Sequence, residues 1–263
     1  MIDIHFHCLP GVDDGPREWD ESVALCRMAL DEGAETIVAT PHVLRGLWKE
    51  REHDELRNLT AELNQRLGGS PLVVLGSEYY FGHDMAELLE VGEGIIPLPG
   101  NRYVLVELAA HTVPMFLDSV FYRVQLGGWT PIIAHPERNV VLQSKPEALD
   151  ALISAGAKVQ ITAGSLTGHF GEPARTAALH CLERGAVHFV ASDSHSILKR
   201  PPQLREAFNL IENTFGTFTA ESVMMSNPAA AISGQSLPFD PDVRPAEPEH
   251  GWFEQLRGLL KGR

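Results

Sequence analysis

The chain has 263 residues, and its 21 Lys and Arg against 35 Asp and Glu give a formal charge of −14. With 44% hydrophobic and 21% charged residues, it has the composition of a globular chain with a buried core, not of a disordered one. Such acidity argues against sequence-independent binding to nucleic acid, which needs clustered Lys and Arg, and against docking of the whole surface on anionic lipid. The length fits one large domain followed by a tail as well as it fits two small domains.

The three cysteines, Cys8, Cys26 and Cys181, lie far apart, as in a protein from a reducing compartment. The N-terminus has no basic region followed by an apolar run, so no signal peptide is predicted. No stretch approaches the ~18 apolar residues that a membrane span requires. We therefore expect a cytoplasmic protein.

Seven apolar, β-branched runs recur along the chain, and Gly, Pro or polar residues bound each of them. The runs begin near Ile2, Thr36, Leu72, Tyr103, Pro131, Lys158 and His188. Amphipathic helical patterns lie between them, of which the clearest spans Trp19 to Leu30 and ends before a capping Gly33. Further helices are predicted at 50–67, 83–91, 113–126, 146–155, 173–184 and 201–215. This alternation predicts parallel strands joined by helical crossovers, in a closed barrel or an open doubly wound sheet.

The composition changes at Ser236, where prolines begin to punctuate an acidic stretch that is typical of a semi-rigid linker. The terminal segment has its apolar residues on one side of a predicted amphipathic helix. These residues are Trp252, Phe253, Leu256, Leu259 and Leu260. We expect one domain over residues 1–235 and a C-terminal segment over 236–263. The helix would either pack on its own barrel or a sister subunit, or contact a membrane or a partner protein.

Metal-ligating side chains follow six of the seven apolar runs, and only the sixth run, which ends at Thr162, lacks one. They are His5, His7, Asp14 (or its neighbour Asp13), His42, Glu78, Glu107, His135, Asp193 and His195. The C-terminal ends of strands form the active face of an α/β barrel, so these residues are expected to converge. Burying clustered imidazoles and carboxylates is costly unless cations compensate them. Mixed nitrogen and oxygen ligands favour Mn, Fe or Zn over Ca or Mg; the alternative is a polar cluster without metal.

Six short motifs carry these residues. They are His5-Phe-His7-Cys-Leu-Pro-Gly-Val-Asp-Asp14-Gly, Ala-Thr-Pro-His42, Gly-Ser-Glu78, Val-Glu107, Ala-His135-Pro-Glu-Arg138 and Ala-Ser-Asp193-Ser-His195. Two further segments are Thr-Ala-Gly-Ser165-Leu-Thr-Gly-His-Phe-Gly171 and Arg200-Pro-Pro. In this order, the motifs resemble the polymerase-and-histidinol-phosphatase (PHP) superfamily, and most closely the bacterial protein-tyrosine phosphatases of the CpsB/CapC type. The resemblance covers residues 1–235 and stops at the proline-rich tail.

The resemblance implies a distorted (β/α)7, TIM-like barrel that holds three divalent metal ions, usually Mn²⁺, with Fe or Zn as alternatives. The implied ligand sets are His5, His7, Glu107 and Asp193 for one ion, Asp14, His42, Glu78 and His195 for another, and His135 with bridging Glu78 and Glu107 for the third. Asp13 could replace Asp14, because spacing hardly separates neighbouring loop residues. Asp14 is favoured.

Arg138 and Arg200 lie just beyond the fifth and seventh runs and are candidate phosphate-binding residues, since a planar guanidinium pairs well with phosphate oxygens. Each could instead form a surface ion pair. His111 and His169 are predicted in loops after the fourth and sixth runs, where they could approach a substrate or stay solvated. No arginine stands six residues after any cysteine, which excludes the Cys-x5-Arg motif of cysteine-based tyrosine phosphatases.

The sequence therefore predicts a metal-dependent phosphatase that hydrolyses phosphotyrosine on a protein through a metal-activated hydroxide. A phenol has a pKa near ~10, so this leaving group needs little help from a general acid. By resemblance, the substrate would be a bacterial tyrosine autokinase that controls capsule or exopolysaccharide synthesis. The alternatives are a PHP-type phosphatase for a small molecule such as histidinol phosphate, and a metal-binding regulatory module without activity.

Overall fold

The structure is a computed structural model, and it describes residues 1–243. Its strands are β1 Ile2–Phe6, β2 Thr36–Ala39, β3 His42–Val43, β4 Leu72–Leu75, β5 Glu78–Tyr80, β6 Tyr103–Glu107, β7 Thr130–Ala134, β8 Lys158–Thr162 and β9 Phe189–Ala191. Its α-helices are α1 Trp19–Asp31, α2 His53–Leu67, α3 Met85–Val91, α4 Leu117–Leu126, α5 Val140–Ser144, α6 Pro146–Ser154, α7 Ala163–Leu166, α8 Glu172–Glu183, α9 Leu204–Phe215, α10 Thr217–Glu221 and α11 Asn227–Ile232. A 3₁₀ turn spans Pro136–Arg138, and a π-helical turn spans Ser222–Ser226.

All of these strands pair in parallel, in the orders β1-β2-β4 and β3-β5-β6-β7-β8-β9. The first and last strands also meet, because Phe6 forms a parallel bridge with Ser194. At this seam, His7 N donates to Ser194 O and Asp193 N donates to His5 O, both at 2.9 Å. The predicted barrel is therefore confirmed, and the alternative of an open sheet is wrong.

The second and third predicted strands are each broken into two short pieces. Pro41 has no N–H to donate at the break between β2 and β3. At the break between β4 and β5, a Cβ on Gly76 would lie 3.1 Å from two neighbouring side chains, so any other residue there would require those side chains to shift by a few tenths of an ångström. Beyond the breaks, His42 and Glu78 are register partners. The breaks thus separate the apolar part of each strand from the part that carries a polar side chain.

The helices differ from the sequence prediction mainly near the C-terminus. The predicted helix at 201–215 begins only at Leu204, after two prolines, and residues 217–232 add helical turns that were not predicted. The short helices α5 and α7 were also missed, because each is too short for a hydrophobic period to be visible. No helix within residues 1–243 is long and apolar enough to cross a membrane.

An apolar plug fills the barrel below the polar mouth. Tyr103 and Leu105 lie on the same face of β6 as Glu107, since residues two apart on a strand share a face. Both are buried in one cluster with Ile132 and Phe189 from neighbouring strands. A larger buried cluster includes residues of the helices and strands. The barrel is thus filled by apolar side chains below the mouth, where the predicted ligands lie.

Residues 236–243, the described part of the predicted linker, lie against the base of the barrel. Asp240 Oδ1 is 2.6 Å from Lys158 Nζ and 3.0 Å from His188 Nε2. The buried side chain of Asn227 forms two hydrogen bonds with the backbone of Phe239. Asn227 Nδ2 donates to Phe239 O at 2.7 Å, and Phe239 N donates to Asn227 Oδ1 at 3.0 Å. The predicted amphipathic helix beyond them lies outside the described residues.

Replacing Asn227 with Ala should destabilise the protein by about 2 kcal/mol, because buried backbone groups would lose their partners. The side chain also donates to His188 O at 2.9 Å, so three hydrogen bonds disappear together. Urea unfolding measures the change. Asn213→Ala, on the exposed side of α9, should change the unfolding free energy by less than about 0.5 kcal/mol. Equal effects of the two variants would contradict this account.

Candidate metal centre

The structure brings the predicted ligands together at the C-terminal mouth of the barrel. They come from every part of the chain: His5 on β1, His7 and Asp14 after it, His42 on β3, Glu78 on β5, Glu107 on β6, His135 after β7, and Asp193 and His195 after β9. All are buried except Asp14, which is exposed, and His42, which is half-buried. The remaining strand, β8, contributes Gln160, whose Oε1 lies 2.8 Å from His5 Nδ1.

Two of these residues have left-handed backbone conformations, which are rare for residues other than glycine. The φ angle is 35° at His135 and 51° at Asp193. Backbone hydrogen bonds hold both positions, from His135 N to Gln160 O at 2.8 Å and from Asp193 N to His5 O at 2.9 Å. Strain of this kind persists only where the surrounding structure enforces it, and it is common at functional sites. Here it turns both side chains towards the mouth.

The ligand atoms form four overlapping groups, and within each group they all lie within 4.8 Å of one another. The groups are His7, Asp14, His42 and His195; His5, Glu78 and His135; His5, His7 and Asp193; and His42, Glu78 and Glu107. Glu107 falls in a group with His42 and Glu78, and Glu78 is shared by two of the groups. How the ligands divide among the ions stays a prediction of the family resemblance.

Several buried donor and acceptor atoms in the cluster have close neighbours but no hydrogen bond. Glu78 Oε2 lies 2.9 Å from His42 Nδ1 and 3.3 Å from both His5 Nε2 and His7 Nε2. Three of these atoms, Glu78 Oε2, His42 Nδ1 and His195 Nε2, have no hydrogen-bond partner. Buried polar atoms normally have partners. Lone pairs that converge without hydrogen bonds fit ligation of a cation, and the mixed nitrogen and oxygen donors fit a transition metal.

Burial and neighbouring charges also shift the pKa values of several residues in the cluster. Burial raises the pKa of Glu107 to about 7, and the nearby negative charge of Glu78 acts in the same direction. Burial by itself lowers the pKa of His5, but Glu78 and Asp193 outweigh it and raise the pKa to about 9. Burial lowers the pKa of His135 to about 4, with help from the positive charge of Arg138. Divalent cations would stabilise the carboxylates and use the neutral imidazoles as ligands.

The structure distinguishes the two neighbouring aspartates, Asp13 and Asp14. Asp14 Oδ1 lies 3.2 Å from His195 Nε2 and therefore belongs among the candidate ligands. Asp13 lies behind them, where its Oδ2 is 2.8 Å from His7 Nδ1 and accepts from His42 N at 3.1 Å. A carboxylate behind a histidine fixes the tautomer and orientation of the ring. Asp13 is thus placed to orient His7.

Both predicted arginines border the cluster. Arg138 Nη1 and Arg200 Nη2 lie 2.5 Å and 2.6 Å from the same oxygen, Oδ2 of Asp193. The ring of Phe170 lies beneath both guanidinium groups, with centroid distances of 4.3 Å and 5.8 Å. Each arginine keeps further N–H groups and is partly exposed. They are therefore placed to bind an anion at the mouth.

Two parts of the site were not predicted from the sequence. Arg45 Nη1 lies 2.6 Å from Glu107 Oε2, and Trp48 stacks on His42 with a centroid distance of 5.1 Å. Both follow His42 closely in the chain, which is the signal that could have suggested them. Phe170 lies in the glycine-rich segment after β8, but its position beneath two arginines depends on tertiary structure.

The loop histidines lie outside the ligand groups. His111 is exposed. His169 Nε2 lies 2.6 Å from the carbonyl oxygen of Lys199, so it connects the loop after β8 to the loop that carries Arg200.

Comparison with known proteins places the chain in a family. A model of the family described as capsular polysaccharide synthesis, CpsB/CapC, matches residues 1–233. The chain belongs to the CpsB/CapC family. The tyrosine-protein phosphatase YwqE of Bacillus subtilis (strain 168) is 37% identical over 219 residues, which cover 82% of this chain and 86% of YwqE. The tyrosine-protein phosphatase CpsB of Streptococcus pneumoniae is 33% identical over 244 residues, which cover 90% of this chain and 100% of CpsB.

Solved structures agree with this placement. A chain from the crystal structures of YwqE and CpsB, described as unique metal-dependent tyrosine phosphatases, matches this CpsB/CapC member with a TM-score of 0.87 and 34% identity. The match covers 94% of this chain and 100% of the other. An amidohydrolase from Mycoplasma synoviae matches with a TM-score of 0.59 at 13% identity, covering 100% of this chain and 95% of the other. That likeness concerns the fold alone.

Replacing Asp13 with Ala should weaken Mn²⁺ binding by about 10- to 100-fold, because His7 loses the carboxylate that orients it. Titration calorimetry with Mn²⁺ measures the affinity. Asp20→Ala is the matched control, since Asp20 lies exposed in the first turn of α1. Unchanged affinity in the Asp13 variant would show that this carboxylate does not support the metal centre.

Proposed function

We propose that this CpsB/CapC protein is a metal-dependent phosphatase that hydrolyses phosphotyrosine on proteins. The observation that carries the proposal is the buried cluster of imidazoles and carboxylates with unpaired donor atoms, bordered by Arg138 and Arg200. The relatives named as tyrosine-protein phosphatases, which align over most of the chain, support the same chemistry.

We propose a centre of three divalent ions, Mn²⁺ with Fe or Zn as alternatives, and the overlapping ligand groups support a site for more than one ion. We propose that the nine ligands hold these ions. They are His5, His7, Asp14, His42, Glu78, Glu107, His135, Asp193 and His195. When bound, the ions would lower the pKa of water and stabilise the charge that develops on the attacking and leaving oxygens.

The arginines would bind the phosphate oxygens. Arg138 and Arg200 already share a carboxylate oxygen of Asp193, so their donors converge on one anionic atom. A phosphate oxygen offers the same charge and hydrogen-bonding geometry. Phe170 beneath both groups limits their motion, which reduces the entropy lost when an anion binds. A phenolate leaving group needs little protonation, so the arrangement does not require a separate general acid.

The cysteines do not offer a competing nucleophile. Cys8, beside His7, is fully buried, and the hydrogen bond to Cys26 together with burial raises the pKa of its thiol well above the ordinary value. A reactive cysteine needs a lowered pKa and access to substrate.

The family's link to capsular polysaccharide synthesis suggests the physiological substrate. We propose a tyrosine autokinase that controls capsule or exopolysaccharide synthesis, dephosphorylated by this protein in the cytoplasm.

The deciding experiment compares turnover of a phosphotyrosyl peptide with turnover of histidinol phosphate by the Mn²⁺-loaded protein. We expect kcat/KM for the peptide to be higher, by at least about tenfold, because the phenolate leaves more readily than an alkoxide. Release of inorganic phosphate measures both reactions. Efficient turnover of histidinol phosphate alone would favour the small-molecule phosphatase instead.

Removal of metal with a chelator should abolish hydrolysis of p-nitrophenyl phosphate, and added Mn²⁺ should restore it.

Asp193→Ala should lower kcat/KM for p-nitrophenyl phosphate by at least about 100-fold, because a proposed metal ligand is removed. This loss should exceed the one that follows when only a residue that orients a ligand is replaced. Cys8→Ala is the control and should keep most of the activity. Full activity in the Asp193 variant would overturn the assigned site, and no activity in any metal-loaded form would favour a regulatory module.

A further inference from the structure

A groove of about 620 Å³ opens beside the metal centre, between the loops that follow β1 and β9. These loops are neighbours because β1 and β9 close the barrel. The volume lies within the range of about 300–1,000 Å³ that is typical of ligand-binding clefts. No step of the proposed reaction uses this groove.

The groove is continuous with the proposed active site. Its inner wall is formed by Asp14 and His195, which are both candidate metal ligands. Arg200 Nη1 lies 3.9 Å from Asp14 Oδ2, so the guanidinium that would bind phosphate stands at the inner end of the groove. A substrate segment that flanks a bound phosphotyrosine would therefore reach the groove while it stays in contact with the surface of this protein.

Part of the wall of the groove is apolar. Leu25 and Ile197 line it together with Leu198, whose side chain is 90% exposed. The loop thus presents a large apolar side chain to solvent next to the active site. An apolar side chain of a bound polypeptide would cover it.

Two basic residues, Arg17 and Lys199, also line the groove of this strongly acidic protein. One acidic residue, Glu21, lines it as well, and its Oε2 accepts a hydrogen bond from the backbone N–H of Arg17. Asp14, at the inner end, belongs to the proposed metal centre. The outer charges therefore favour an acidic ligand.

We propose that this groove binds the polypeptide segment that flanks the phosphotyrosine, and that it selects an apolar residue together with an acidic one. The inference rests on the proposed phosphatase function and names the class of substrate. Leu198 would contact the apolar side chain, while Arg17 and Lys199 would pair with the acidic one. Specificity would then come from the seam of the barrel, and catalysis from the metal centre and its arginines.

The test uses the Mn²⁺-loaded, full-length protein with three substrates. The first is a phosphotyrosyl peptide flanked on both sides by leucine and glutamate, the second has serine and lysine at those positions, and the third is p-nitrophenyl phosphate. We expect the parent to prefer the first peptide over the second by about tenfold in kcat/KM, which corresponds to about 1.4 kcal/mol.

Leu198→Asp should remove most of that preference and leave p-nitrophenyl phosphate turnover within about twofold of the parent. Lys199→Glu should lower kcat/KM for the acidic peptide and raise it for the basic one. The controls are Leu126→Asp and Arg123→Glu, both on α4; Leu126 is 70% exposed and ends that helix, away from the mouth. Neither control should change the preference.

Three results would overturn the inference: a parent that does not distinguish the peptides, groove variants that behave like the α4 controls, or equal losses on all three substrates. Hydrolysis of p-nitrophenyl phosphate by the parent separates these results from failure of the proposed function. If the parent hydrolyses none of the three substrates, the phosphatase proposal itself is wrong.

Discussion

The buried carboxylate of Glu78 is the constraint on which the site depends. It is in contact with four imidazoles, and one of its oxygens has no hydrogen bond; the imidazoles are those of His5 on β1, His7 after it, His42 on β3 and His135 after β7. A carboxylate in such a position is unfavourable unless positive charge accompanies it. The strained backbone at His135 and Asp193 and the outer carboxylate of Asp13 all serve to hold ligands around this one group. The arginines then balance the charge of Asp193 at the rim.

The barrel and the positions of the ligands could be predicted from the sequence. Apolar runs were visible because parallel strands covered on both faces are continuously hydrophobic. Each run ended in a ligand, and a barrel brings strand ends together, so convergence followed from topology. Six motifs in order were enough to suggest the family.

The contacts among the ligands could not be predicted in this way. His42 and Glu78 become register partners only beyond the breaks after β2 and β4, and breaks of this kind depend on local packing around Gly76 and Pro41. The roles of Arg45 and Phe170 depend on contacts between distant loops. The contacts of Asp240 with the base of the barrel were hidden because a proline-rich composition suggests a spacer.

Closure of the barrel between β1 and β9 has a consequence for how the protein is made. Asp193 and His195 are synthesised nearly two hundred residues after His5 and His7. The nascent chain would therefore hold an incomplete set of the proposed metal ligands during most of this synthesis. Metal could be captured in its final geometry only after the last strand has joined the first. Metal loading would then be a late step of biogenesis, and it would stabilise the two ends of the barrel against separation.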